Sequence, residues 1–324
     1  MQQPNLTRRA LALAPAALML GNTAHAQVAG RPITIVVPFT AGGSTDLVSR
    51  VVAQFAAPVV GNPMIVDNRV GGGGVVGWSS AARSAPDGNT LCTIELSYAI
   101  AAGLLPNLPF DPHKAFTQVT TAVKVQHVLV VNPAVPAKTV KELIALAKAS
   151  PGKLNYGSGG NGTNTHLGGE LFKNLTGTSM VHIPYKGAGA VLADLMAGQV
   201  QVLVTSIPTA LQAIRSGRLR ALMVTGPTRN PTLPDVPSAT EAGLPKMDMD
   251  FWIGFGAPAG TPPSVINHLN KSINESLALP DAKKRIDEMG LTVVGSSPAE
   301  ATALVSREID RWTAIIKQAG IKAD

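Results

Sequence analysis

Two glycine-rich stretches carry most of the chemically useful residues in this chain. The first, Pro38-Phe39-Thr40-Ala41-Gly42-Gly43-Ser44-Thr45-Asp46, follows the apolar run Ile33–Val37. The second runs from Gly157 through Ser158, Gly159, Gly160, Asn161, Gly162, Thr163, Asn164 and Thr165 to His166, and follows Lys153-Leu154-Asn155-Tyr156. Each leads into a helix-like pattern. Each therefore aims backbone N–H groups and the positive end of a helix at one spot, which binds an anion without a charged side chain. The loops are far apart in the chain, so they can sit in different domains and close on a ligand from two sides.

The side chains in these loops have competing readings. Ser44, Thr45 and Ser158 are either nucleophiles or, in the more ordinary role, helix caps and ligand-oxygen donors. No Gly-x-Ser-x-Gly elbow supports a serine hydrolase. Asp46 falls in a first helical turn, where a carboxylate stabilises the helix end by ~0.3–1 kcal/mol; alternatively it holds a water or a ligand ammonium. His166 either hydrogen-bonds the loop or touches ligand. Gly157-x-Gly159-x-x-Gly162 matches a dinucleotide fingerprint, but the next strand ends in Ile183-Pro184-Tyr185-Lys186 with no acid for a ribose. No Gly-Lys-Ser/Thr makes Gly42–Asp46 a phosphate loop, and the His residues lack metal-site spacing. No cofactor and no metal are expected.

The elements that must position these loops alternate along the chain. Strand-like runs at Ile33–Val37, Met64–Val66, Thr90–Ile94, Val125–Val131, Leu154–Tyr156, Met180–Ile183, Gln201–Thr205, Leu219–Val224 and Phe251–Phe255 are interleaved with helical patterns. The helices fall at 46–56, 75–83, after the Thr139-x-x-Glu142 capping box, at 165–175, 188–197 and 208–214, and from Pro298 to Gln318. Ser238-x-x-Glu241 predicts a further short helix. Such alternation implies an α/β fold of mostly parallel sheets flanked by helices, with ligands beyond the carboxyl ends of the strands. Two domains are expected: 27–127 plus 251–324, and an inserted 128–250, with the cleft between them.

Whole-chain properties narrow the partners. Arg8-Arg9, an apolar stretch and Ala24-His25-Ala26 predict a signal peptide over 1–26, export to the periplasm and no stable membrane insertion. The formal charge is +7, of which Arg8 and Arg9 supply two. Aromatics are only 4%, which with no basic cluster argues against nucleic acid. The mild positive field suits an anionic small molecule. The single cysteine, Cys92, forbids an internal disulfide and reads as a buried apolar residue. A monomer is expected.

Taken in order and spacing, several segments resemble one family. They are Val37–Asp46, Val66-Asp-Asn-Arg69 with its glycine run, Ala85–Leu91, Leu108–Pro112, Tyr156–Thr163, His166-Leu167, Glu170–Lys173, Ile183–Gly189, Leu219–Leu222 and Pro234–Pro237. The chain resembles the extracytoplasmic solute receptors of tripartite tricarboxylate transporters, the Bug-type receptors. The resemblance implies a Venus flytrap, a periplasmic-binding-protein-like fold that captures a small carboxylate for integral-membrane transporter subunits, with no enzymatic activity. It carries a ligand role onto Gly42, Gly43, Ser44, Thr45, Asp46, Ser158, Asn161, Thr163 and His166, with Gly160 in the same loop. Phe39, Trp78 and Tyr98 are expected to add apolar burial on closure. Two departures bear on ligand choice. Thr205-Ser206 stands where the family often has Asp-Asn, which disfavours an amino-acid ligand. Glu95 stands where Gly-Thr is usual, and either selects a ligand hydroxyl or ammonium or faces solvent. A ligand-sensing partner of a signalling system is the second reading, and an exported serine hydrolase using Ser44 or Ser158 the third.

Overall fold

The computed structural model describes residues 30–319 except Pro106 and Asp250; the expected signal peptide lies outside the described residues. Two sheets organise the molecule. The first has six strands: β1 (Ile33–Val37), β2 (Met64–Asn68), β3 (Thr90–Glu95), β4 (Phe116–Val125), β10 (Phe251–Pro258) and β11 (Leu291–Val293), in the order β11-β4-β10-β3-β1-β2. The second has five: β5 (His127–Val131), β6 (Asn155–Ser158), β7 (Val181–Pro184), β8 (Val202–Ser206) and β9 (Arg220–Val224), in the order β7-β6-β8-β5-β9. We call the sheets with their helices lobe 1 and lobe 2.

The alternation predicts parallel pairing, and four pairs follow it. β1 pairs with β2 and β3, and β6 with β7 and β8. The remaining five pairs among the described residues are antiparallel, β10 with β3 and β4, β11 with β4, and β5 with β8 and β9, so the sheets are mixed rather than mostly parallel as expected. A chain that leaves one sheet at the end of β4 and enters another at β5 has no crossover helix to turn it, so these pairings do not inherit the parallel rule. The expected single strand Val125–Val131 is thus two strands in two sheets, parted at Gln126. The return falls just before β10. Gln126 Nε2 donates to Thr225 O at 2.6 Å and Thr228 O at 2.8 Å, and Asn230 Nδ2 donates to Gln126 Oε1, so the crossing strands are tied together.

The helices of lobe 1 are α1 (Ser44–Val60), α2 (Val75–Ala82), α3 (Leu96–Leu104), α8 (Pro263–Ala278), α9 (Pro280–Glu288) and α10 (Pro298–Ala319); lobe 2 holds α4 (Val140–Ala149), α5 (Asn164–Thr176), α6 (Ala188–Ala197) and α7 (Ile207–Arg215). Several lack a clean sequence signal. α3 is apolar on every side because it is buried on every side, so it shows no amphipathic stripe. In β4 the polar side chains Gln118, Thr120 and Thr121 face inward. Thr120 Oγ1 donates to Asn274 Oδ1 at 2.9 Å or to the Ser296 carbonyl at 3.0 Å, and the Thr121 N–H donates to Ser296 Oγ. The expected helix after Ser238 is a turn: the reciprocal cap between Ser238 and Glu241 forms, but Gly243 and Pro245 end the segment before a helix can propagate.

A pocket of helix N-termini between the lobes

Five helices begin at one cleft. Its walls are Gly43, Ser44 and Thr45 of α1, Ser97 of α3, Thr163, Asn164 and Thr165 of α5, Ala188 of α6, and Thr205 and Ser206 leading into α7, with Gly159, Phe39 and Phe251 completing them. The cleft encloses about 360 Å³ of empty space, its open mouth included. α3 and α5 are capped by side chains, since Glu95 accepts from Ser97 N and Thr163 from His166 N. α1, α6 and α7 have no side-chain cap at Gly43, Gly187 and Ser206. Their positive ends thus meet an apolar-walled space lined by small hydroxyls, a setting for an anion. Among the described residues no Lys or Arg lines the cleft.

The lobes are in contact around it. Ser44 N donates to Thr209 Oγ1 at 3.1 Å, and Ser206 Oγ and Thr209 Oγ1 lie 2.8 Å apart. Gly187 lies so close to lobe 1 that a Cβ there would meet Thr40 Oγ1 at 2.6 Å, and one on Gly189 would strike Ala41 O. Only glycine permits that approach.

The sequence-predicted residues divide into three groups. Phe39, Gly43, Ser44, Thr45, Thr163, Thr205 and Ser206 line the cleft. Thr205 Oγ1 is buried and has no hydrogen-bond partner among the described residues. Gly42, Asp46, Ser158, Gly160, Asn161 and His166 instead build the loops. Asp46 is buried and binds Arg50 through both oxygens, at 3.0 and 2.9 Å; it also accepts from Gly42 N and Asn68 Nδ2. Burial pushes its carboxyl up, but those hydrogen bonds and the Arg50 charge outweigh burial and hold it below the usual carboxylate range. That leaves it no oxygen aimed at a ligand ammonium. Ser158 Oγ lies 2.6 Å from His182 Nε2 and accepts from Gly160 N at 3.1 Å; His166 Nδ1 accepts from Gly162 N and its ring stacks on His182. Gly160, at φ +122°, lies under Tyr185 O, and Asn161 O faces Gly73.

Trp78, Tyr98 and Glu95 stand outside the lining. Trp78 Nε1 donates to Thr93 O at 3.2 Å and Tyr98 Oη to Pro112 O at 2.8 Å; both rings are wholly buried. They support Phe39 from behind, with edge-on contacts Phe39–Trp78 and Trp78–Tyr98 at 6.0 and 5.3 Å. Their expected contact with ligand gives way to packing because the three rings pack edge to face in a row and only the first reaches the cleft. Glu95 does not face solvent: it is wholly buried and caps α3.

Sequence reasoning passed over Ser97, Asn164, Thr165, Ala188 and Phe251. Thr165 shows a local signal, since it continues the hydroxyl run of its loop. Ala188 and Phe251 are defined only by what the other lobe brings to them.

A sequence profile described as the tripartite tricarboxylate transporter family receptor matches residues 48–321. The chain belongs to this receptor family. It is 37% identical over 294 residues to Protein BugT of Bordetella pertussis, covering 90% of each chain. Among solved structures it superposes on Rhodopseudomonas palustris Rpa4515 with adipate at a TM-score of 0.87 and 33% identity, covering 91% of this chain and 99% of that one. It superposes on MatC from the same organism with bound malate at a TM-score of 0.85 and 32% identity, covering 89% and 99%. The family is one of binding proteins, so the receptor reading stands and the serine hydrolase is set aside. Among the described residues no helix of the receptor is long and apolar enough to cross a membrane, and no His/Cys/Asp/Glu group is placed to hold a metal.

Proposed function

We propose that this receptor works in the periplasm, closes its lobes on a small carboxylate and presents the closed form to integral-membrane transporter subunits. One observation carries the reading: the N-termini of α1, α6 and α7, none with a side-chain cap, share one cleft with no basic side chain among the described residues. A hydrogen bond to a charged group contributes ~1.5–3 kcal/mol, so three or four of them reach the roughly −8 kcal/mol of micromolar binding. MatC with malate and Rpa4515 with adipate are relatives that hold such ligands. The ligand contacts fall on Gly43, Ser44, Thr45, Ala188, Thr205 and Ser206. The units that move are lobe 1 and lobe 2, turning about the two crossings; His127, expected at the end of the first unit, belongs to the second, because it pairs with Ser206 in its sheet. Ligand-stabilised closure gives the transporter a shape to read.

The test is a thermal-shift screen of the purified mature protein against mono-, di- and tricarboxylates, including malate and adipate. At least one should raise Tm by several degrees. No shift from any carboxylate, with neutral sugars binding instead, overturns the reading.

A further inference from the structure

At one end of the cleft a buried polar bridge joins the lobes. Asn164, the first residue of α5 in lobe 2, donates Nδ2 to Glu95 Oε2 at 3.0 Å and to Ser97 Oγ at 3.2 Å, both in lobe 1. Its backbone N–H also donates to Ser97 Oγ, at 2.9 Å. Behind it, Asn164 Oδ1 lies 3.2 Å from His127 Nε2. Glu95, Ser97 and His127 are wholly buried. Bonds that span the lobes exist only while the lobes are shut, so opening breaks this bridge and returns Glu95 to water.

Glu95 is an unusual member of such a bridge. Oε2 accepts twice, from Ser97 N and Asn164 Nδ2, while Oε1 is buried without a hydrogen-bond partner among the described residues. Among the described residues no cation balances it. β1, α2 and β10, packed around β3, contain no acid, base or histidine, and Cys92 of β3 itself is held protonated by burial. On α1, Asp46 and Arg50 satisfy each other; on α3, Tyr98 turns to the Pro112 carbonyl. On α5, His166 accepts from Gly162 N, and Lys173 pairs with Glu170. On α10, packed against α3, Arg307 and Arg311 pair with Glu308, and Asp310 with His113. His127, the one ring on the bridge, is neutral, pushed down to about 4 by burial against the opposing Asn164 bond. An ionised carboxylate with one bare buried oxygen is far costlier than a neutral carboxyl with the same geometry.

We propose that Glu95 is a proton site of the receptor: closing the lobes takes up one proton from solvent onto its carboxyl, so capture of a carboxylate is coupled to capture of a proton. This rests on the proposed carboxylate function. The neutral carboxyl also spares the incoming anion a like charge near its cleft. In the closed form burial pushes Glu95 up to about 7, against the downward pull of Ser97 and Asn164; opened to water it returns toward 4.5. A group raised in the closed state favours closure fully below 4.5 and loses that contribution as pH climbs through 7. Affinity therefore falls by up to about tenfold per pH unit within that window and is flat on either side.

The experiment has two arms, on wild type and Glu95→Gln, each checked for folding by circular dichroism. In the first, calorimetry with malate and adipate at pH 6, in buffers of different ionisation enthalpy, counts protons. Wild type should take up close to one, and E95Q should bind while taking up none. In the second, without ligand, spin labels at Lys141→Cys of lobe 2 and Lys284→Cys of lobe 1 report the interlobe distance from pH 5 to pH 8. Wild type should populate the shorter distance more at pH 5, and E95Q should show no pH trend. No proton uptake by wild type, or the same uptake or the same trend in E95Q, overturns the proposal. If neither probe nor any other carboxylate binds, the carboxylate reading fails while the label arm still judges Glu95. If E95Q does not fold, the wild-type proton count with a bound carboxylate, or failing that the wild-type label series, decides alone.

Discussion

The two glycine-rich loops look alike as sequence and differ as structure. In the loop before α5 the amides are spent within the loop: Gly159 N donates to Thr165 Oγ1 at 2.8 Å, Gly160 N to Ser158 Oγ, and Gly162 N to His166 Nδ1, while Thr163 Oγ1 donates to Gly160 O at 2.7 Å. In the loop before α1 the cap position is Gly43, which has no side chain to satisfy the helix; Asp46 accepts from Gly42 N as well as from Arg50 and Asn68, and Ser44 N donates to Thr209 Oγ1 of the other lobe. The first loop leaves its helix without a side-chain cap, its bonded amides being those of Gly42 and Ser44; the second, capped by Thr163, is a rigid wall that shapes the cleft. Glycine content alone does not mark an anion site. What decides is whether a side chain of the loop caps the first turn of the helix, as Thr163 does for α5 and nothing does for α1.

That contrast can be broken by mutation, beginning with the uncapped loop. Gly43→Asp should lower carboxylate affinity about a hundredfold or more, through like-charge repulsion and lost helix-end donors. Gly43 has an ordinary backbone conformation and a Cβ there meets nothing closer than 3.8 Å, so Tm should change little; calorimetry and a melting curve check both halves. The rigid loop should respond in stability as well as binding. Thr165→Val leaves the buried Gly159 N–H unpaired, at a cost of about 1–3 kcal/mol in urea unfolding and roughly tenfold in affinity.

Asp46→Asn separates scaffold from site. It should cost about 1 kcal/mol of stability at pH 7, discounted because half of the Arg50 side chain is exposed, and alter affinity by less than threefold. Since Asp46 is held below its ordinary 3.8, its contribution is present above that value and disappears as pH falls through the lower folded value. Unfolding curves of variant and wild type should therefore converge in strong acid. The smallest effect is expected of Tyr98→Phe, which removes one hydrogen bond to Pro112 O behind the cleft: about 1 kcal/mol in stability and no change in affinity.

Much of this arrangement was legible locally. The strand–loop–helix units around Gly43 and Thr163 announce themselves through glycine, hydroxyls and helical periodicity, and family resemblance followed from the order of such pieces. Three things were not legible. α3 hides because burial on all sides removes amphipathic contrast. β4 hides because its inward threonines and glutamine look like surface residues until Asn274 and Ser296 supply partners. Glu95 reads as a lone acid at a strand end because its partner Asn164 lies in the other lobe. The lesson is the same for Trp78 and Tyr98: their chemistry is apparent in sequence, but only the edge-to-face row behind Phe39 shows that they support the site rather than touch the ligand.

The most direct test of the central claim is a crystal structure of the receptor with whichever carboxylate raises its Tm most. A carboxylate group is expected between the lobes, accepting hydrogen bonds from the first-turn amides of α1 and α6 and from Thr205 or Ser206. A carboxylate held by the amides of Gly159, Gly160 and Gly162, or bound outside this cleft, would contradict it.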